Sequence, residues 1–350
     1  MYLGSATFLL AVSLCLFGSS SLAQPVQEDK YVKLGGIEQW VSISGEDKSK
    51  AVVLMLHGGP GSVLSPYSDH IFADWKKDFV IVQWDQRGAG KTYRKNKSEQ
   101  ADEDYWLENP LQVEQMVKDG LELCDYLLQH LDKDKLVLMA SSWGTVLATQ
   151  MVQQRPEIFH FYLAHAQLIS YKDNLSEAYH KVKAIAEASK DTLNLQKLKT
   201  LGPPPYAMAK NLGQLLRIVK TYERQASSPS PEAWWEPSEP YKNELDVQSR
   251  YQGDDYSFLY FAGHKPLGIK SMVADLDFRE SATQFKVPVY FVQGAHDILT
   301  PASMNKDYFE KIDAPAKEFF LVPDAAHAFT TSVVDLKYQI LKKFFDDSSK

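Results

Sequence analysis

The segment Leu136–Thr145, LVLMASSWGT, decides how this chain is read. Leu136–Ala140 is a continuous apolar run of the kind found in a strand buried on both faces. From Thr145 the sequence reads as a helix. At the junction, Ala140-Ser141-Ser142-Trp143-Gly144 resembles the strand–turn–helix pattern G-x-S-x-G, with Ala140 in place of the first glycine. Small residues are needed there because strand and helix approach closely around a strained serine, and Ala adds only a methyl. The turn also puts Ser142 near a helix amino terminus, whose partial positive charge favours a developing oxyanion. For these five residues alone, an ordinary strand-to-helix turn is the alternative.

Outward from this point the same grammar repeats. Ala51–Leu56 (AVVLML) and Phe79–Trp84 (FVIVQW) read as further buried strands, with a helix over about Leu111–Leu131 and a strand near Phe161–Ala164. Tyr31–Leu34 and Ile37–Ile43 flank Gly35-Gly36 and read as a β-hairpin. Strands alternating with helices imply an α/β fold, a mostly parallel sheet covered by helices on both faces. From about Ser170 to Gln284 the alternation stops. Helical segments near Asn174–Ser189 and Ala207–Arg224 are broken by Gly202-Pro-Pro-Pro205 and by the Ser-, Pro- and Trp-rich Ser227–Pro240. Strands resume at Val287–Gln293 and Glu318–Val322, before a last amphipathic helix. The expected organisation is a core of residues 24–170 and 285–350, with residues 171–284 inserted as a mostly helical cap.

A serine nucleophile needs a base, and the base needs an orienting carboxylate. In this topology they follow later strands, in the order Ser, acid, His. Asp297 directly follows Val287–Gln293, and His327 follows Glu318–Val322. Catalytic roles are therefore expected for Ser142, Asp297 and His327; His296 and Asp324 are the competing residues in the same loops. Oxyanion donors should be backbone amides, one from Trp143 and one from the loop His57-Gly58-Gly59-Pro60-Gly61, where glycine lets an amide approach a carbonyl without a Cβ in the way. His57 is expected to hold that loop. Gly88-Ala-Gly-Lys-Thr92 is not a phosphate-binding loop, because that pattern needs glycine where Asp85 stands. No metal-ligand spacing is present, so no metal is expected.

Composition sets the outer limits. Lys and Arg number 38 against 45 Asp and Glu, a net charge of −7 with no basic block; nucleic acid is excluded as a partner, because its binding requires basic residues that neutralise phosphates. Hydrophobic residues make up 44%, enough apolar surface to exclude a disordered chain. The two cysteines, Cys15 and Cys124, exclude a disulfide scaffold. Cys124 lies in the helical stripe Val113, Met116, Val117, Leu121, Cys124, Leu128 and reads as a buried thiol. Met1–Ala23 contains no charged side chain, and its apolar run Phe8–Phe17 is too short to span a bilayer. Ser21-Leu22-Ala23 adds a small-x-small cleavage signal. Residues 1–23 are therefore expected to be a cleavable signal peptide of a secreted or periplasmic protein with no stable membrane insertion; a buried or anchoring amino-terminal helix is the alternative.

His57–Gly61 (HGGPG), Trp84–Gly90 (WDQRGAG) and Ser142-Trp143-Gly144 together resemble the proline iminopeptidases, or prolyl aminopeptidases, of the α/β-hydrolase superfamily, over about residues 30–170 and 285–345. The resemblance implies an α/β-hydrolase fold with a mostly helical cap and a serine hydrolase that needs no cofactor. Such enzymes attack the carbonyl after an amino-terminal residue, often proline. The resemblance also puts the second oxyanion donor at Gly59, and gives Asp85, Gln86 and Arg87 supporting roles, with Arg87 salt-bridged. It implies a cap acid for the substrate ammonium. Ala233-Trp234-Trp235-Glu236 is similar to the family's Trp-x-x-Trp-Glu segment, so Glu236 is the candidate anchor and Trp234 or Trp235 an apolar wall; a surface loop packed by its tryptophans is the alternative. The family's Arg-Ile-Glu segment has no counterpart here. The substrate expected is a small peptide, or a small acyl compound if the same triad serves a carboxylesterase or amidase. A ligand-binding protein without turnover is the remaining class. An epoxide hydrolase or haloalkane dehalogenase is not expected, since those relatives carry Asp where Ser142 stands.

Overall fold

A computed structural model describes residues 23–97 and 102–348. The expected leader, Ala23 excepted, and Cys15 lie outside the described residues. The described residues form one eight-stranded sheet: β1 (Val26–Leu34), β2 (Ile37–Gly45), β3 (Ala51–Leu56), β4 (Phe79–Asp85), β5 (Leu136–Ser141), β6 (Phe159–His165), β7 (Val289–Gly294) and β8 (Lys317–Val322). Their spatial order is β1-β2-β4-β3-β5-β6-β7-β8. β1 and β2 pair antiparallel, as do β2 and β4, and all other neighbours are parallel. The hairpin register sets Leu34 opposite Ile37, leaving Gly35-Gly36 as a two-residue turn. Both glycines have positive φ, 54° and 83°, as a type I′ turn requires.

The alternation along β3 explains why it is apolar throughout. Val52, Leu54 and Leu56 face one cluster, with Met116 and Val117 of the helix Val113–Leu131 and Leu147 and Met151 of the helix Gly144–Gln154. Val53 and Met55 face the other, with Trp75 and with Val333 and Leu341 of the helix Thr331–Ser348. Helices thus cover both faces, which is the arrangement a parallel sheet needs. Cys124 is fully buried in the first cluster, and desolvation there pushes its thiol pKa far up.

Between β6 and β7 the chain leaves the sheet and forms the helices Tyr171–Ala188, Thr192–Leu201, Ala209–Ala226 and Glu244–Ala262. The first and third match the sequence expectation within a few residues. The other two are additional. Thr192–Leu201 is bounded by Asp191, whose side chain accepts the Asn194 amide, and by Gly202 at φ 70°. Glu244–Ala262 starts on Asn243, which accepts the Asp246 amide. Its polar first half and aromatic second half, with Gly253 between, leave no continuous stripe to read. The first three of these helices share a small core of their own, including Val182, Leu198, Leu215 and Val219, while Glu244–Ala262 packs through Leu259 and Phe261 into the main core. Among the described residues no helix is long and apolar enough to cross a membrane.

Candidate active site

The turn after β5 is as tight as its sequence suggests. Ser142 sits in the left-handed region at φ 51°, a strained setting for a residue with a Cβ. Its amide donates to the His165 carbonyl of β6 at 2.9 Å. A Cβ on Gly144 would lie 2.4 Å from the Leu56 carbonyl oxygen and 2.7 Å from that of His57, so glycine is required there. Ala140 pairs with Leu56 and is buried in the core; the methyl that replaces the first glycine of the pattern is accommodated.

His327, on the loop after β8, accepts the Ser142 hydroxyl at its Nε2, 2.8 Å away. Its Nδ1–H donates to Asp297 Oδ2 at 2.9 Å. Asp297 follows β7, is fully buried, and also accepts from the Thr300 amide at 2.7 Å, the Thr300 hydroxyl at 2.7 Å and Gln293 Nε2 at 3.1 Å. Burial alone would raise its pKa, but the imidazole and the Thr300 donors outweigh burial and hold the carboxyl below the usual range. For His327, burial disfavours the charged ring, and the Asp297 carboxylate overcomes it and pushes the imidazole up. The competing residues stand elsewhere. His296 is exposed, and Asp324 accepts from Ser332 at 2.7 Å.

The loop after β3 faces this chain of hydrogen bonds. Gly58 and Gly59 line the same cavity as Ser142 and His327, and Trp143 is the residue that caps the helix Gly144–Gln154. His57 is buried and held neutral, its pKa lowered to about 4 by desolvation. Its Nδ1–H donates to the Gly58 carbonyl at 2.8 Å, and its Nε2 accepts the Gln86 amide at 3.3 Å. Gln86 in turn donates to the His57 carbonyl at 3.1 Å and accepts the Trp143 indole N–H at 2.9 Å. One glutamine thereby ties the β3 loop to the serine turn. Arg87 binds buried Asp119 through Nε at 2.7 Å and Nη2 at 3.1 Å, and reaches the Gly35 carbonyl at 2.8 Å. It is the salt-bridged arginine that the resemblance implies.

Ser142 and His327 open into a cavity of about 540 Å³ that the inserted helices wall off opposite the sheet. Leu216, Val219, Lys220 and Glu223 come from Ala209–Ala226, and Arg250, Tyr251 and Asp254 from Glu244–Ala262. The tryptophan pair splits. Trp234 packs against the core cluster of the C-terminal helix, whereas Trp235 lines the cavity and meets Tyr67 edge-on at 5.5 Å. Glu236 is exposed and is not among the lining residues; just beyond it the Ser238 amide ties to the Pro66 carbonyl. The acids that do face the cavity, Glu223 and Asp254, are absent from the sequence reading. Glu223 carried a signal. It continues the apolar stripe Leu212, Leu215, Val219 at helical spacing, where a carboxylate is out of place.

A twisted, mostly parallel sheet with a strained serine at a strand-to-helix turn, and with acid and histidine following later strands, defines the α/β hydrolases as a class. Residues 51–330 match the family model described as alpha/beta hydrolase fold, and the chain belongs to that family. It is 28% identical over 308 residues to a probable aminopeptidase, YbaC, of Bacillus subtilis (strain 168), covering 85% of this chain and 90% of that protein. It is 21% identical over 295 residues to a proline iminopeptidase of Clostridioides difficile (strain 630), covering 83% and 89%. The crystal structure of proline iminopeptidase from Mycobacterium smegmatis shares the fold, with a TM-score of 0.62 at 17% identity over 92% of this chain and all of that one. The chain is proline iminopeptidase-like in sequence and in fold.

Proposed function

We propose that the protein is a serine hydrolase that removes an amino-terminal residue, proline or another small apolar residue, from short peptides. The observation that carries this reading is the hydrogen-bonded chain Ser142–His327–Asp297, open to a cavity with acids on its far wall. Ser142 Oγ attacks the substrate carbonyl carbon as its proton passes to His327 Nε2. The amides of Trp143 and Gly59 receive the oxyanion, each such donor being worth about 2.7–4 kcal/mol of barrier. His327 then protonates the leaving amine, and water releases the acyl group by the reverse path. Asp254, which accepts from Ser62 Oγ at 3.0 Å, is the anchor proposed for the substrate ammonium, a role its cavity-facing carboxylate supports better than exposed Glu236 does. Trp235 and Leu216 offer an apolar wall. The helices between β6 and β7 act as the cap, and residues 1–23 as a leader that directs the protein out of the cytoplasm.

The position of Glu236 outside the cavity favours a second reading, a carboxylesterase or amidase that needs no ammonium anchor. Purified protein assayed on a proline arylamide and on a short acyl ester separates the two. Arylamide turnover that disappears in Ser142→Ala is the expected result; ester turnover alone would establish the second reading. A fluorophosphonate that leaves Ser142 unlabelled would reject both and leave a binding protein on a hydrolase fold.

A further inference from the structure

The loop that carries Asp297 is held from outside the sheet domain. Glu223 Oε1 accepts from the amides of Ile298 at 2.7 Å and Leu299 at 3.3 Å, the two residues that follow Asp297. The Ile298 side chain packs into the apolar cluster of the inserted helices. From Tyr171–Ala188, Lys181 donates to the Asp297 carbonyl at 3.3 Å and Asn174 to the Leu299 carbonyl at 3.2 Å. The inserted helices thus grip both donors and acceptors of this backbone.

Glu223 is the unexpected member of the grip. It is 6% exposed, and burying a carboxylate is costly unless it is compensated. A neutral amide could accept the same two N–H groups. What only a carboxylate adds is negative charge next to the reacting imidazole. We propose that Glu223 is a positioning residue of the Ser142–His327–Asp297 chain, fixing the backbone that presents Asp297 and supplying a second negative charge beside His327. This rests on the serine-hydrolase reading above.

The charges around this point are those of Asp297 and His327 from the core loops, Lys220 one turn earlier on the same helix, Lys181 on Tyr171–Ala188, and Arg250 and Asp254 on Glu244–Ala262. Burial, then the Asp297 carboxylate, push the Glu223 carboxyl up to about 7. Glu223 in turn raises His327 together with Asp297, against burial and against Lys220. Removing the Glu223 charge therefore lowers the pH at which the imidazole becomes neutral and able to accept the Ser142 proton.

The test uses a fluorophosphonate probe, which phosphonylates the serine hydroxyl with loss of fluoride and needs neutral His327. The second-order rate of Ser142 labelling is followed against pH in the wild type, Glu223→Gln and Glu223→Ala, with the labelled peptide identified by mass spectrometry. Glu223→Gln keeps an acceptor for both amides, so its plateau rate holds while its acid limb moves down by about one pH unit. Glu223→Ala loses acceptor and charge, and its plateau falls about 10- to 100-fold through misplacement of Asp297. A Gln profile superimposed on that of the labelled wild type overturns the proposal, as does an Ala variant with the wild-type plateau. If Glu223→Ala does not fold, the Gln profile decides. An unlabelled wild type overturns the serine-hydrolase reading and this proposal with it.

Discussion

At the serine end of the candidate triad, everything that matters belongs to the sheet and its own turns: the left-handed Ser142, the glycine pressed against the last β3 carbonyl and the one that follows it, the amide bonded to β6. At the acid end, the backbone around Asp297 is held by Asn174, Lys181 and Glu223, residues 75 to 125 positions away along the chain from the groups they bind. The first end is a local device that any chain with this pattern must build. The second depends on an insertion, so the same three candidate side chains combine a fixed part and a part open to adjustment.

Four substitutions probe that contrast. Asp297→Asn should lower the Ser142 labelling rate most, by about 10⁴-fold, because the wrong imidazole tautomer is then held; a loss under tenfold would show that the acid end is dispensable. Gly144→Ala forces a Cβ onto backbone that cannot yield, and should destabilise the fold by about 2 kcal/mol as well as suppress labelling, measured by urea denaturation and the same probe. A fully stable, active variant would mean the serine end is not rigid. Thr300→Val deletes one donor to Asp297, and a labelling loss of about tenfold is expected. The carboxyl of Asp297 is held below its unfolded value, so its contribution to stability exists above about pH 4 and fades as pH falls. Thr300→Val should accordingly shift acid unfolding to higher pH, followed by circular dichroism. Lys181→Met removes a single bond from an exposed side chain, and its effect should stay within about twofold; a large loss would place more of the acid loop's order in the helix Tyr171–Ala188 than its one contact suggests.

The same contrast governs what could be read from the sequence. All eight strands and the candidate residues Ser142, Asp297 and His327 were legible because each rests on a short pattern: an apolar run, a small-residue turn, an acid or histidine just past a strand. His57 was expected to hold its loop from its place just past a buried strand, whereas Gln86 and Arg87 could be given supporting roles only through the family resemblance; the hydrogen bonds of all three match those roles. β1 begins five residues before Tyr31, in a polar stretch without an apolar run; β6 begins two residues before Phe161, and β7 two after Val287, where apolar character precedes the paired backbone. The inserted helices were harder. Thr192–Leu201 and Glu244–Ala262 are signalled by their caps, Asp191 and Asn243, more than by any stripe. The cavity acids were hardest, since Asp254 and Glu223 acquire meaning only when two helices meet the loops of a sheet distant in sequence. Trp234-Trp235-Glu236 shows the reverse error of local pattern. Its residues are similar to a family segment, yet one ring packs half-buried against the core, the other lines the cavity and the acid faces solvent.

The sealed thiol of Cys124 has a practical use. It lies in the helix Val113–Leu131, in the same core cluster as Trp84, fully buried and held protonated, so a thiol reagent in the surrounding solution meets an inert group while the fold is closed. Reaction at this position can proceed only through opening of the core. Where reclosing is fast against the reaction, its rate is therefore a clock for global stability, one that runs without any substrate and reports on every variant of the triad, including those with no activity left to measure.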